Sequence, residues 1–352
     1  MKSNLNRFKK TLYPIDKFYE KVLYDKEKGY YATNNPFGYK GDFVTAPNIS
    51  DIFSEIIGIW IISSWEKLGK PRTLNLVELG PGDGSLTKIL LRTFKKFPTF
   101  NSSVNIFMYE KSDYLIRVQK KKIKDKKVRW IDNFKNIKKG PVIFFGNEFF
   151  DAIPIKQFLK NDNVFLEKHY TISNKKIYER FKIAKQEDER QIKSFKSLLG
   201  LNLIEYPKLG LIELKKIVKK VSTLSGGILL IDYGYIKPQS INTLQSLMKH
   251  KKNNILKNIF KADITCLVNF ALLKEYFLKN KLYVKNIVTQ KFFLEKMGII
   301  ERANILKKKM NTSQKKNLNE RLYRLLNKDI MGELFKVIFA FKSTKKDFLG
   351  FD

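Results

Sequence analysis

Between Leu74 and Asp232 the hydrophobic pattern changes period several times. Short apolar runs at Leu74–Glu78, Asn105–Glu110, Lys127–Ile131, Val142–Asn147 and Gly227–Asp232 read as strands. Stretches at helical spacing lie between the early ones. Ser85–Phe97 places Leu86, Ile89, Leu90, Phe94 and Phe97 on one face, and Ser112–Lys122 forms a second helix. Strands alternating with helices predict an α/β fold: a Rossmann-like, doubly wound parallel sheet with helices on both faces.

The flanking segments differ. Tyr13–Tyr24 reads as a helix. Gly29–Pro47, GYYATNNPFGYKGDFVTAP, is dense in Gly, Asn, Pro and aromatic residues and reads as a long structured loop, a common place for function. Ile49–Leu68 carries Ile52, Phe53, Ile56, Ile57, Ile59 and Trp60, which predicts a mostly buried helix closed by Gly69-Lys70-Pro71. Val164–Ile183 reads as a hairpin turning near Ser173-Asn174, inserted into the sheet domain. Leu211–Val221 and Asp263–Asn280 read as helices, and Tyr283–Gln290 with Leu334–Phe341 as a late antiparallel edge pair. The expected organisation is an N-terminal helical or lid segment at 1–72, a core at 73–160 and 208–345, and an inserted β-hairpin and helical subdomain at 161–207 on the substrate side.

The chain has 352 residues, 43% of them hydrophobic, enough for a sizeable core and too many for a disordered chain. The net charge of +35 points toward an anionic partner only if the lysines cluster. They are scattered, with short runs such as Lys120–Lys127, so nucleic acid is not the expected partner. The single cysteine, Cys266, excludes an internal disulfide framework and a multi-thiolate zinc site. It lies in an apolar pattern that reads as core. His169 and His250 lack metal-ligand spacing, and no metal site is expected. No apolar run reaches the roughly 18 residues of a transmembrane helix, and MKSNLNRFKK lacks the apolar core of a signal peptide. The expected compartment is the cytoplasm of a bacterium, with the mitochondrial matrix as the alternative.

The candidate chemistry sits at strand ends. LNLVELGPGDGSLTKIL runs an apolar strand into Glu78, then Gly80, Gly82 and Gly84, then a helix. Such a turn brings a ligand close to backbone, and a helix N-terminus favours an anion. The spacing is neither the dinucleotide G-x-G-x-x-G nor a phosphate loop with its Gly-Lys pair. A carboxylate beside the helix N-terminus suits a ligand bearing both ammonium and carboxylate, as S-adenosyl-L-methionine does. Glu110, ending the second strand, can accept both ribose hydroxyls, and Asp132, ending the third, can accept from an adenine amino group. The fourth strand ends in GNEFFDAIPIKQF. Asn147 is placed at the cofactor, and the paired carboxylates Glu148 and Asp151 suit a guanidinium, which they would orient and hold for attack on a sulfonium methyl.

GYYATNNPFGYKGDFVTAPNISDIFSEIIG, LVELGPGDGSL, GNEFFDAIPIKQF, ILLIDYGY, NTLQSLMKH, DITCLVNF and MGELFKVIF occur in order over about Gly29–Phe339. In these stretches the chain resembles the MidA / NDUFAF7-type class I methyltransferases, the family of a mitochondrial complex I assembly factor. The resemblance implies S-adenosyl-L-methionine as cofactor and methylation of a protein arginine to symmetric dimethylarginine. The implied acceptor is the 49-kDa-type subunit of respiratory NADH dehydrogenase. Asn48, Ser54, Asn242 and Asn269 stand where the family usually has Glu, Gly, Asp and Asp. Gly41 and Thr45 are retained, and with Ser50 and Asp42 they suggest a lid over the methionine end. Two rivals stay open: a methyltransferase acting on another acceptor such as RNA, and a cofactor-binding assembly chaperone with little turnover. The carboxylates at Glu148 and Asp151 argue against RNA, because they repel phosphate.

Overall fold

The computed structural model describes residues 8, 12–33, 36, 38, 41–42, 45–162, 164–174, 176–248 and 250–352. The chain divides into two compact units. One comprises Met1–Phe43, Phe150–Lys215 and Tyr235–Tyr276; the other comprises Val44–Phe149, Lys216–Gly234 and Phe277–Asp352.

The second unit is built on a twisted sheet. From one edge its strands run Val128–Ile131, Val104–Tyr109, Leu74–Leu79, Val142–Asn147, Gly226–Tyr235 and Phe335–Lys342. The short strands Tyr283–Val284 and Val288–Thr289 then pair with Phe335–Lys342. The first five are parallel, and Phe335–Lys342 is antiparallel to Gly226–Tyr235. The order reverses between Leu74–Leu79 and Val142–Asn147. In an open α/β sheet that reversal leaves a crevice beyond the carboxyl ends of the two strands.

Both central strands are buried almost throughout, which accounts for their mostly apolar sequences; Asn75 and Glu78 are the polar exceptions in the first. The helix Asp51–Lys67 is likewise apolar around most of its circumference, with Trp60 fully buried in a T-shaped contact with Phe339. Ser50 caps it by accepting from the Ile52 N–H at 3.3 Å. Ser85–Phe94 and Asp113–Lys122 are the two crossover helices expected from the pattern.

The first unit is mainly antiparallel. Leu12–Pro14 and Lys156–Asn161 pair with one side of Val164–Ser173, and Leu203–Tyr206 extends the sheet beyond Lys156–Asn161. Lys176–Ile183 pairs with the other side of Val164–Ser173. A small sheet joins Lys251–Asn253, Gln245–Met248 and Asp263–Thr265. The helix Ile15–Tyr24 packs Ile15, Phe18, Tyr19 and Val22 into a core with Tyr170, Phe260 and Ile264.

Several boundaries differ from expectation. The first helix starts at Ile15 rather than Tyr13, because Pro14 lies at its N-cap and Leu12–Pro14 pairs as a strand. The Gly29–Pro47 loop contains a short helix at Tyr30–Thr33, and a second, Ala46–Ile49, begins within it. Asp263–Asn280 is not one helix. Asp263–Thr265 and Val268–Asn269 are strands, and the helix begins at Phe270. The β-branched residues there favour extended backbone, and Asn269 caps the helix by accepting from the Leu272 N–H at 3.1 Å. The late antiparallel pair at the edge of the sheet forms as expected, but its first strand is split into Tyr283–Val284 and Val288–Thr289, both against Phe335–Lys342.

Candidate active site

The turn after Leu74–Leu79 explains its own glycines. Gly80, Gly82 and Gly84 all have positive φ, at 60°, 56° and 79°, a region that L side chains rarely adopt. A Cβ on Gly80 would lie 2.9 Å from the Phe149 ring, and one on Gly84 3.1 Å from Ile123. The loop is therefore clamped between the fourth strand's exit and the helix Asp113–Lys122. Asp83 accepts from the Ser85 N–H at 3.0 Å, and Lys122 donates to Asp83 at 2.5 Å and to the Ser85 hydroxyl at 2.9 Å.

Glu78 is almost fully buried and accepts from the Thr87 hydroxyl on the helix that follows the turn. Burial pushes its carboxyl up to about 8, with Asp83 and Glu110 adding repulsion and the Thr87 bond opposing them. In this arrangement Glu78 braces the glycine turn from beneath.

Glu110 stands just past Val104–Tyr109. One carboxylate oxygen accepts from the N–H groups of Lys111 and Ser112, both at 2.8 Å. The other accepts from the Gln119 amide at 3.2 Å. Burial nevertheless raises its pKa. Gln119, which the sequence reading missed, is fully buried. Its amide also donates to the Gly82 carbonyl at 2.8 Å, and its own carbonyl accepts from the Trp130 indole at 2.9 Å. One side chain thus joins the glycine turn, the second strand's carboxylate and the third strand. The only signal in the sequence was one polar residue on the apolar side of an amphipathic helix. Asp132 is exposed after Val128–Ile131 and accepts from Asn133 at 2.6 Å.

Across the crevice, Asn147 ends the fourth strand and Glu148 follows it. Glu148 holds a φ of 52°, unusual for a non-glycine residue, and its N–H is tied to the Ile231 carbonyl at 2.9 Å. Asp232, buried within the fifth strand, accepts from the Phe149 N–H at 3.1 Å and fixes the same turn. The Glu148 carboxylate accepts from the Asn147 amide at 2.9 Å and from the Ala46 N–H at 3.4 Å. Burial pushes it up to about 7 against both bonds. The Asn147 side-chain oxygen, at the carboxyl end of the fourth strand, is buried without a hydrogen-bond partner, an acceptor that lacks a donor.

Thr45 reaches the same region through Asn48. The Asn48 amide donates to the Thr45 hydroxyl at 3.1 Å, and its oxygen accepts from the Ser85 hydroxyl at 3.1 Å. Asn48 can do both at once, whereas a carboxylate could only accept. Ser54 is fully buried with its hydroxyl unpartnered. Ser50 serves as a helix cap.

Most of the remaining sites belong to the first unit. Gly41 donates its N–H to the Gly38 carbonyl at 2.9 Å, and Asp42 accepts from the Tyr30 hydroxyl. The Asp151 carbonyl accepts from the N–H of the buried Cys266 at 3.0 Å. Asn242 accepts from Gln157 at 2.7 Å, and Asn269 is the helix cap described above. His250 is exposed at a turn, and Tyr233, in the second unit, packs against Phe335.

A glycine turn with three left-handed residues, a carboxylate beyond the second strand and an unsatisfied acceptor across a topological switch point fit a nucleoside-bearing cofactor with a charged amino-acid end. With this strand order they define a class I S-adenosyl-L-methionine-dependent methyltransferase. Residues 56–288 match the family described as "Putative S-adenosyl-L-methionine-dependent methyltransferase", and the chain belongs to that family. It is similar to the protein arginine methyltransferase NDUFAF7, mitochondrial, of Xenopus laevis, with 28% identity over 92% of this chain and 79% of the relative. The human protein of the same name is 28% identical over 91% of this chain and 78% of its own length. Among solved structures, a COG1565 superfamily member from Burkholderia thailandensis bound to S-adenosyl-homocysteine shares the fold. Its TM-score is 0.78 at 22% identity, covering 97% of this chain and 89% of that one.

Proposed function

We propose that this methyltransferase transfers its methyl group to an arginine nitrogen of a protein, and that the protein is a subunit of respiratory NADH dehydrogenase undergoing assembly. The observation that carries the reading is Glu148. It is a buried carboxylate in a strained turn, held by Asn147 beside the glycine turn that would cradle the cofactor. The arginine methyltransferase names of the relatives support the same acceptor.

Gly80, Gly82, Gly84, Glu110, Asp132, Asn147 and Thr45 are assigned to the cofactor, with Glu78 supporting the turn and Gly41 the segment before Thr45. S-adenosyl-L-methionine, when bound, supplies the electrophilic methyl. The rest falls to the chain. The Glu148 carboxylate accepts from the guanidinium N–H groups, holds the positive charge and points one nitrogen along the line of transfer. Arginine stays protonated at ordinary pH, so as the new N–C bond forms at the expense of the sulfonium S–C bond, the surplus N–H proton would pass to the Glu148 carboxylate and on to solvent. Asp151, three residues on in the chain, is assigned the second carboxylate on sequence grounds. The proposed product is symmetric dimethylarginine. The compartment is a reducing one, bacterial cytoplasm or mitochondrial matrix; no helix among the described residues is long and apolar enough to cross a membrane.

The test pairs calorimetric titration of S-adenosyl-L-methionine and S-adenosyl-homocysteine with labelled-methyl transfer to the purified 49-kDa-type subunit. Glu148→Gln should bind cofactor and transfer nothing. Label on RNA instead of protein, or client binding with no transfer by the wild type, would overturn the arginine reading in favour of its rivals.

A further inference from the structure

The hairpin of the first unit ends in a strand that has no second partner strand among the described residues. Lys176–Ile183 pairs only with Val164–Ser173 among the described residues. The register fixes which groups face out. Ser173 pairs with Lys176 across the turn, and the Ala184 N–H donates to the Phe165 carbonyl at 2.8 Å further along the same ladder. Hydrogen-bonded pairs alternate with non-bonded ones in an antiparallel ladder. The bonded partners are therefore Lys176, Tyr178, Arg180 and Lys182, and the N–H and C=O groups of Ile177, Glu179, Phe181 and Ile183 point away from the sheet. The Glu179 carbonyl has a long contact of 3.4 Å from the exposed Arg180 guanidinium.

The side chains on this edge are unusual. Tyr178 is 41% exposed, Phe181 42% and Ile183 79%. A free edge is normally blunted by charge. Here one face carries Lys176, Tyr178, Arg180 and Lys182, while the other carries Ile177, Glu179, Phe181 and Ile183. Glu179 is already paired with Lys168 at 2.7 Å, which leaves the cations of the first face in excess.

That pattern selects against a second copy of the same strand. Outward-bonding residues must face outward-bonding residues, so a two-fold antiparallel pair centres on a single residue. Centred on Tyr178 it sets Lys176 opposite Arg180. Centred on Glu179 it sets Glu179 opposite its own copy and Lys176 opposite Lys182. Centred on Arg180 it opposes two arginines, and centred on Phe181 it opposes Arg180 and Lys182. Like charges directly across a ladder destabilise it.

We propose that Lys176–Ile183 is a docking edge for an extended segment of a protein partner, added as one more antiparallel strand, in which acidic and apolar residues alternate. The acids would lie opposite Lys182, Arg180 and Lys176, and the apolar side chains opposite Ile183, Phe181 and Ile177. Main-chain bonds supply the pairing, and alternate side chains supply the selectivity. That the partner is the methylation substrate rests on the function proposed above; the docking edge itself does not.

The probe is a fluorescein-labelled peptide, Val-Glu-Val-Asp-Val-Thr-Val-Glu, whose acids fall opposite Lys182, Arg180 and Lys176 when its first residue faces Ile183, titrated against the full chain by anisotropy. A second peptide has lysine at each acidic position. Saturable binding of the acidic peptide alone is expected, weakened by salt, and weakened at least roughly tenfold by the double variant Arg180→Glu, Lys182→Glu. Phe181→Pro removes one outward N–H and should abolish binding. Cofactor binding and circular dichroism report folding, and the double surface variant remains informative if the proline variant does not fold. No binding of the acidic peptide, equal binding of the lysine peptide, unchanged affinity in the double variant, or a dimer that Phe181→Pro dissociates would each overturn the proposal. Loss of methyl transfer with peptide binding intact would count against the function and leave the docking edge standing.

Discussion

The hydroxyl of Thr87 donates to the carboxyl of Glu78, and neither residue has appreciable exposure. A strand end and the first turn of the next helix are thereby tied together beneath the three left-handed glycines. The bond does not cancel the cost of burying the carboxylate, which titrates at about 8.

Stability should therefore fall as pH rises. The folded state keeps the Glu78 proton up to about 8, whereas the unfolded chain releases it near 4.5. Native protein binds more protons across that window, so raising the pH favours unfolding. Glu78→Gln removes the titration while leaving a group that can accept from Thr87. Denaturant unfolding should show a flatter pH profile for the variant and a relative gain in stability at the alkaline end. Parallel profiles for the two proteins would rule this out.

Gly80→Ala tests the turn itself. A φ of 60° and a ring atom 2.9 Å from the new Cβ combine conformational strain with a displaced Phe149. The strain alone costs roughly 1–2 kcal/mol. Phe149 follows Glu148, so the variant should lose cofactor affinity as well as stability. Wild-type affinity by calorimetry would show that the turn tolerates a side chain.

Gln119→Leu should weaken the cofactor without touching it. It frees the Gly82 carbonyl and one Glu110 oxygen at once, and leaves buried acceptors unpaired at about 1–3 kcal/mol each. Glu110→Ala, by removing bonds to a charged group, should lower affinity by roughly tenfold to several hundredfold. If the Gln119 variant bound as tightly as wild type, Glu110 would be positioned by its own backbone bonds to Lys111 and Ser112.

Methyl transfer should rise with pH through about 7. Burial holds the free Glu148 carboxyl there, and only its ionised form attracts a guanidinium. The kcat/KM profile of the wild type should show this limb, and Glu148→Asp should move it. A rate independent of pH between about 5 and 9 would assign the guanidinium to another group.

Much of this architecture is written locally. The buried parallel strands need apolar residues on both faces, and their ends at Glu78, Glu110 and Asn147 were legible within a residue or so. The glycine spacing anticipated a sharp turn, and each glycine proved to be left-handed. Pro14 and Asn269 were in plain view as helix boundaries, yet hydrophobic period alone extended both helices across them.

What the sequence determined by itself is the alternation of strand and helix, the glycine turn and the acidic residues at the strand ends, because each depends on neighbours within a few residues. The tertiary structure alone decided which polar groups act together. Gln119 meets Gly82, Asp232 meets Phe149 and Asn48 meets Ser85 only after the sheet has set its order. Likewise, the pattern of Lys176–Ile183 predicts a strand, but only the pairing of Val164–Ser173 leaves its outer edge unpaired among the described residues. Hydrogen bonds and burial are properties of pairs and surroundings, so a residue's type fixes what it can bond, and the fold fixes what it meets.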